Sequence, residues 1–241
     1  MASRALLPLA PLHALSDYHI IESDFNPDTD TAEWVKTGDA AASANVGDAI
    51  GGIMAIQVGG TADNDECYVE SPNETFKFVA NKPLRFAARV QFTEASTNKD
   101  NIIVGVKDAV AADTLLDNGG GPAASYSGAV FFKEDGQTLW SVEASIGSTQ
   151  TTAQLTAANS LDKKAHTAGS SGYQWLVIEF NPIGSASAEI SFFIDGVHVY
   201  KMTGDFITSA TEMQICLGAK AGGTTAAPTL NVDFVSCIQK R

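Results

Sequence analysis

The sequence predicts an all-β chain folded as two antiparallel sheets packed face to face, preceded by an extended N-terminal arm. Three observations predict it. From about residue 34 onward, apolar runs of five to eight residues alternate with clusters of Gly, Asn, Asp and Pro, and helical periodicity is almost absent. Two Asp-Gly pairs, Asp135-Gly136 and Asp195-Gly196, stand between such runs, where a two-residue turn needs positive φ. Charged residues are only 18% of the 241, while small residues are abundant, which suits short strands and excludes a coiled coil.

Taken in order, "ECYVES" and "TFKFVA" are strand candidates separated by Pro72 and Asn73. "PLRFAARVQF" places Leu84, Phe86, Ala88, Val90 and Phe92 on one face and Arg85 and Arg89 on the other, a period of two. "NIIVGVKD" is a further strand, followed by a Gly-rich loop over residues 108–127. "AVFFKEDGQTLWSVEAS" reads as a hairpin turning at Asp135-Gly136, and the Thr- and Ala-rich stretch 148–160 as an edge strand plus loop. "YQWLVIEFNP" is a strongly apolar strand, "AEISFFIDGVHVYKM" a second Asp-Gly hairpin, and "EMQICLGAKAG" and "TLNVDFVSCIQ" close the chain. About ten to twelve strands of this kind make a two-sheet sandwich or jelly roll. No fixed-period repeat suggests a propeller or solenoid.

Residues 1–30 are read as the arm and 31–241 as the sandwich domain. The start of the chain, "MASRALLPLAPLHAL", has an Arg before an apolar run, but Pro8 and Pro11 interrupt it in a way unlike a secretory leader. The arm is expected to dock on its own domain or on a partner through Leu6, Leu7, Leu9, Leu12 and Leu15. No stretch approaches the roughly 20 apolar residues of a membrane helix, so no membrane partner is expected. A net charge of −13 repels phosphate, so nucleic acid is not expected either. Cys67, Cys216 and Cys237 form no metal-binding spacing, and the last two lie in apolar runs as small core residues.

Little in the sequence supports chemistry. Glu143 and Glu179 each stand alone on a strand, without the paired carboxylates of a glycosidase. The four histidines lack metal spacing, and no Gly-x-Ser-x-Gly elbow is present. "DNGGGP" lacks the lysine and helix of a phosphate loop. No catalytic residue and no cofactor is therefore assigned. Asp24, Asn26, Asp28 and Asp30 alternate like the start of a Ca²⁺ loop, but Thr29 replaces the glycine and Val35 the final glutamate. Asx turns explain that spacing, and Ca²⁺ would need further oxygens from the second acidic stretch, Asp63 to Glu66, or from a neighbouring subunit. Trp140 and Trp175 lie in apolar strands and are expected in the core, which leaves loops 108–127 and 148–172 as the lectin-like edge.

The run from Tyr173 to Ile238 resembles the last strands of concanavalin A-like, laminin-G-type jelly rolls. The likeness rests on a Trp-led strand (Trp175), an Ile-Asp-Gly turn (Ile194, Asp195, Gly196), a strand ending in Leu217-Gly218, and a last strand with Asp233-Phe234. The middle segment, residues 100–142, is similar in texture to structural proteins of tailed bacteriophages. That likeness implies a non-enzymatic capsid decoration or cement protein on the virion exterior, assembled in the host cytoplasm. Its implied partners are the major capsid protein and further copies of itself, with a trimer favoured. The alternative implied by the jelly roll is a carbohydrate-binding or adhesin module, touching host-surface glycans with the loop edge.

Overall fold

The computed structural model describes residues 17–25, 34–47, 51–60, 62–92, 94, 98–169, 172–208, 211–223 and 227–241. Among them are fifteen strands. They are β1 (Tyr18–Ser23), β2 (Val35–Gly38), β3 (Ser43–Gly47), β4 (Ile53–Gln57), β5 (Glu66–Glu70), β6 (Leu84–Phe92), β7 (Asp100–Lys107), β8 (Gly128–Lys133), β9 (Ser141–Ile146), β10 (Thr149–Gln154), β11 (Gln174–Pro182), β12 (Ala188–Ile194), β13 (Val197–Gly204), β14 (Gln214–Ala221) and β15 (Thr229–Lys240). One short 3₁₀ turn, Asp117–Gly119, lies in the loop between β7 and β8.

The eight-stranded sheet runs β13-β12-β11-β6-β15-β4-β3, with β1 also paired to β15, and the seven-stranded sheet runs β10-β9-β8-β7-β14-β5-β2. Every pairing between these strands is antiparallel. The period-two pattern of β6 holds: Leu84, Phe86, Ala88, Val90 and Phe92 are buried between the sheets, while Arg85 and Arg89 point away. Phe131 of the seven-stranded sheet meets Phe192 of the other edge to face at 5.3 Å, and Trp140 meets Phe92 and Phe131 in the same way. Trp140 is fully buried and donates its indole N–H to Gln174 Oε1 at 3.0 Å.

Of the two Asp-Gly turns, one forms as expected. Asp195 (φ 51) and Gly196 (φ 80) join β12 to β13 directly. At Asp135-Gly136 only Gly136 has positive φ, and residues 134–140 form a longer connection. Other elements claim its backbone groups: Gly136 N–H reaches Asn98 O, Asp135 N–H reaches Asn101 Oδ1, and Leu139 pairs with Thr167. "TFKFVA" is likewise not a strand but a stretch with isolated bridges at Phe76 and Val79. The side-chain amide of Gln239 bonds Lys77 N–H and Lys77 O, standing in for a strand partner, while Phe76 and Phe78 still enter the core.

Candidate functional site

The outward face of the seven-stranded sheet is where this chain concentrates buried polar groups. Strand register sets Thr152, Glu143, Val130, Gly105, Cys216 and Glu70 side by side across six strands, from β10 to β5. The next row carries Phe132, Ile103, Gly218 and Tyr68. A Cβ on Gly218 would fall 2.2 Å from the Tyr68 ring, so only glycine leaves that ring room to lie flat over β14.

Residues 108–127 fold down on this face. Leu115 and Tyr126 pack with Tyr68, Ile103, Val130, Phe132 and Cys216 in an apolar cluster separate from the main core. Covered on both sides, β7 and β14 are buried at every residue, which explains their nearly unbroken apolar sequences. The loop that composition marks as open is thus a packed layer.

Two polar knots tie it down. The first centres on Lys220, 1% exposed, whose Nζ lies 2.7 Å from Asp113 Oδ1, 2.5 Å from Asp117 Oδ1, 3.4 Å from Glu66 Oε2 and 3.0 Å from Leu115 O. Burial works to discharge this amine, but the carboxylates of Asp113, Asp117 and Glu66 outweigh it and hold its pKa above the ordinary value. Glu66 also accepts from Tyr68 Oη and Asp113 N–H, while Tyr68 Oη accepts from Leu115 N–H.

The second knot centres on Glu143, which is 4% exposed. Its Oε1 accepts from Tyr126 Oη at 2.8 Å and Gln150 Nε2 at 2.9 Å, and its Oε2 accepts from Thr152 Oγ1. Burial pushes the Glu143 carboxyl up, partly opposed by these three donors. Glu134, half-buried beside Gly121, is pushed up by burial and then by Glu143. A carboxyl raised in the folded state stabilises the fold below its ordinary value of 4.5 and loses that contribution as pH rises through the raised value. Glu143→Gln, which cannot ionise, is therefore expected to raise the urea midpoint at pH 7. The gain should shrink toward zero as the titration is repeated down to pH 4.5.

No family model matches the chain, and no curated protein matches it in sequence. Solved structures do match in shape. An endo-1,3-β-glucanase from Streptomyces sioyaensis superposes with a TM-score of 0.61 at 15% identity, covering 93% of this chain and 97% of its own. The Emp47p carbohydrate recognition domain gives 0.58 at 10%, covering 92% and 96%. Peanut lectin gives 0.56 at 11%, covering 92% and 97%. The fold is concanavalin A-like.

In this concanavalin A-like sandwich the expected lectin edge is partly taken up by the chain's own contacts. Tyr126 is buried on Glu143, whereas Asp117 pairs with Lys220 and stays 47% exposed. Glu143 points outward as its strand position predicts, yet the loop closes over it. Glu179 faces away from the core and pairs with Arg85 at 3.2 Å. Of the Ca²⁺ candidates, Asp24 is exposed beyond β1, whereas Asn26, Asp28 and Asp30 lie outside the described residues. Among the described residues no group of three or more His, Cys, Asp or Glu side chains is placed to hold a metal ion. Leu6, Leu7, Leu9, Leu12 and Leu15 also lie outside the described residues.

All three cysteines are free and buried, and burial pushes the Cys216 thiol up to about 12 and Cys67 to about 11, which makes them inert packing groups. Trp140 is in the core as expected. Trp175 is not: it is 39% exposed on the open face of the eight-stranded sheet, against Phe234. Its own alternation carries the signal, since Leu176, Ile178 and Phe180 take the core face and leave Trp175 with Glu179 on the other.

Proposed function

We propose that this chain is a carbohydrate-recognition domain that holds a glycan without cleaving it. One observation carries the reading: on the sheet face described above, the carboxyls of Glu66 and Glu143 are engaged by the chain itself, and Leu115 and Tyr126 pack over the face. Hydrolysis of a glycosidic bond needs two carboxyl groups flanking an open site, about 5–9.5 Å apart, with room for sugar and water. A sandwich that spends Glu66 and Glu143 on its own loop is suited to binding. Its likeness in shape to lectins and to a glucanase supports carbohydrate as the ligand class, and its charge of −13 favours neutral glycans over anionic ones.

The test pairs two measurements on the full chain. Retention on immobilised neutral polysaccharides is expected, together with no release of reducing ends from β-1,3-glucan over a day. Release of reducing ends that vanishes in Glu143→Gln would overturn the reading, because Glu143 would then be acting on substrate.

The capsid-decoration role is a separate proposal, as are the trimer and the virion location. It rests on the phage-like texture of the middle segment and on the leucines of residues 1–16, and co-sedimentation of the full chain with phage capsids decides it.

A further inference from the structure

The open face of the eight-stranded sheet presents a different kind of surface. Trp175 on β11 stands opposite Arg89 on β6, and Arg89 stands opposite Phe234 on β15. The two rings lean together above the arginine, with centroids 5.6 Å apart at 56°. The Arg89 guanidinium lies 4.3 Å from the centre of the Tyr173 ring and donates from Nη1 to Asp233 Oδ2 at 2.5 Å.

The backbone builds this arrangement in two places. β15 shifts register between Val232 and Phe234, so Asp233 is left without a strand partner and both it and Phe234 are half-buried at the surface. At the other side, the Asp195-Gly196 turn clamps Trp175: Asp195 Oδ1 accepts Trp175 N–H at 2.8 Å, and Asp195 N–H reaches Trp175 O at 2.9 Å. Asn231, whose amide donates to Gln91 Oε1 at 3.4 Å, extends the strip with further polar atoms.

We propose that Trp175, Phe234 and Tyr173, with Arg89 and Asp233 beside them, form a binding strip for a neutral glycan. This rests on the carbohydrate-recognition reading and locates it. A pyranose has an apolar C–H face and a rim of hydroxyls. The strip offers flat rings for the first and a charged donor–acceptor pair for the second, fixed against each other before any ligand arrives.

Charged groups border the strip. The exposed pairs Arg85–Glu179 and Lys201–Glu189 flank the rings on the same sheet. The strip crosses three adjacent strands, so a linear glycan would lie across the sheet, perpendicular to the strands.

The probes are immobilised β-1,3-glucan, β-1,4-glucan and α-mannan. The full chain is expected to bind at least one of them, and Trp175→Ala and Phe234→Ala each to weaken that binding at least about tenfold. Trp175→Phe should keep part of it, and Ile183→Ala, an exposed apolar control elsewhere on the chain, should leave it unchanged. Circular dichroism and thermal melting check that each variant is folded. Glycan binding undiminished in both alanine variants would overturn the strip while leaving the recognition reading intact. Failure of the full chain to bind any of the three would overturn both. Loss of self-association in Trp175→Ala, with glycan binding unchanged, would reassign the rings to a protein contact and overturn the proposal.

Discussion

Lys220→Met is expected to lower the unfolding free energy by about 3 kcal/mol, at the low end of the 3–5 kcal/mol seen when one partner of a buried ion pair is removed. The low end applies because Asp113 and Asp117 are 65% and 47% exposed and can rehydrate once the ammonium is gone. Glu66 cannot, being buried at 6% exposure, and it would be left with Tyr68 Oη and one backbone N–H as donors. The loss should be visible in two ways. The urea midpoint falls, and residues 108–127 become cleavable by thermolysin under native conditions, because their attachment to β14 depends on this side chain. A change below about 1 kcal/mol with unaltered proteolysis would show that Leu115 and Tyr126 alone hold the loop.

Trp140→Ala is expected to cost about 3–5 kcal/mol. The indole is fully buried where rings from both sheets converge, against Phe92 and Phe131, and the substitution also strips Gln174 Oε1 of its donor. For a domain of this size that loss corresponds to a melting temperature lower by about 6–20 °C. Trp140→Phe should recover more than half of it by filling most of the space. Fluorescence gives an independent check: the buried Trp140 should resist acrylamide quenching and the exposed Trp175 should not. A Trp140→Ala protein that melts within a few degrees of the parent would mean that the inter-sheet rings repack without cost.

Much of the sandwich was legible because strand burial has a period of two, and β6, β11 and the β12–β13 hairpin write it plainly. The turn at Asp195-Gly196 was legible for a local reason, since positive φ at two consecutive positions selects that dipeptide. What escaped was set by partners distant in sequence. Residues 108–127 look like a solvated loop until Lys220, 107 positions from Asp113, is brought under them. Gln239 replaces a strand partner for Lys77 across 162 residues, and no local pattern announces it. Trp175 is a different case: the alternation around it gave its side, but the apolar weight of its strand suggested the core. The bulge that exposes Asp233 and Phe234 is one extra residue in a twelve-residue strand and leaves no mark in hydropathy.

The pairing of β1 with the end of β15 has a mechanical consequence. Tyr18 is matched with Lys240, and Arg241 N–H bonds Asp17 O at 2.7 Å, so residues 17 and 241 sit side by side. A force pulling those two points apart acts across the ladder, not along it, and loads one hydrogen-bonded pair at a time. β1 would peel away like a zipper from Lys240 toward Val235, at low force and with β15 still gripped by β6 on its other side. The same six residues thus serve as a tear strip, yielding under tension before any load reaches the rings between the sheets.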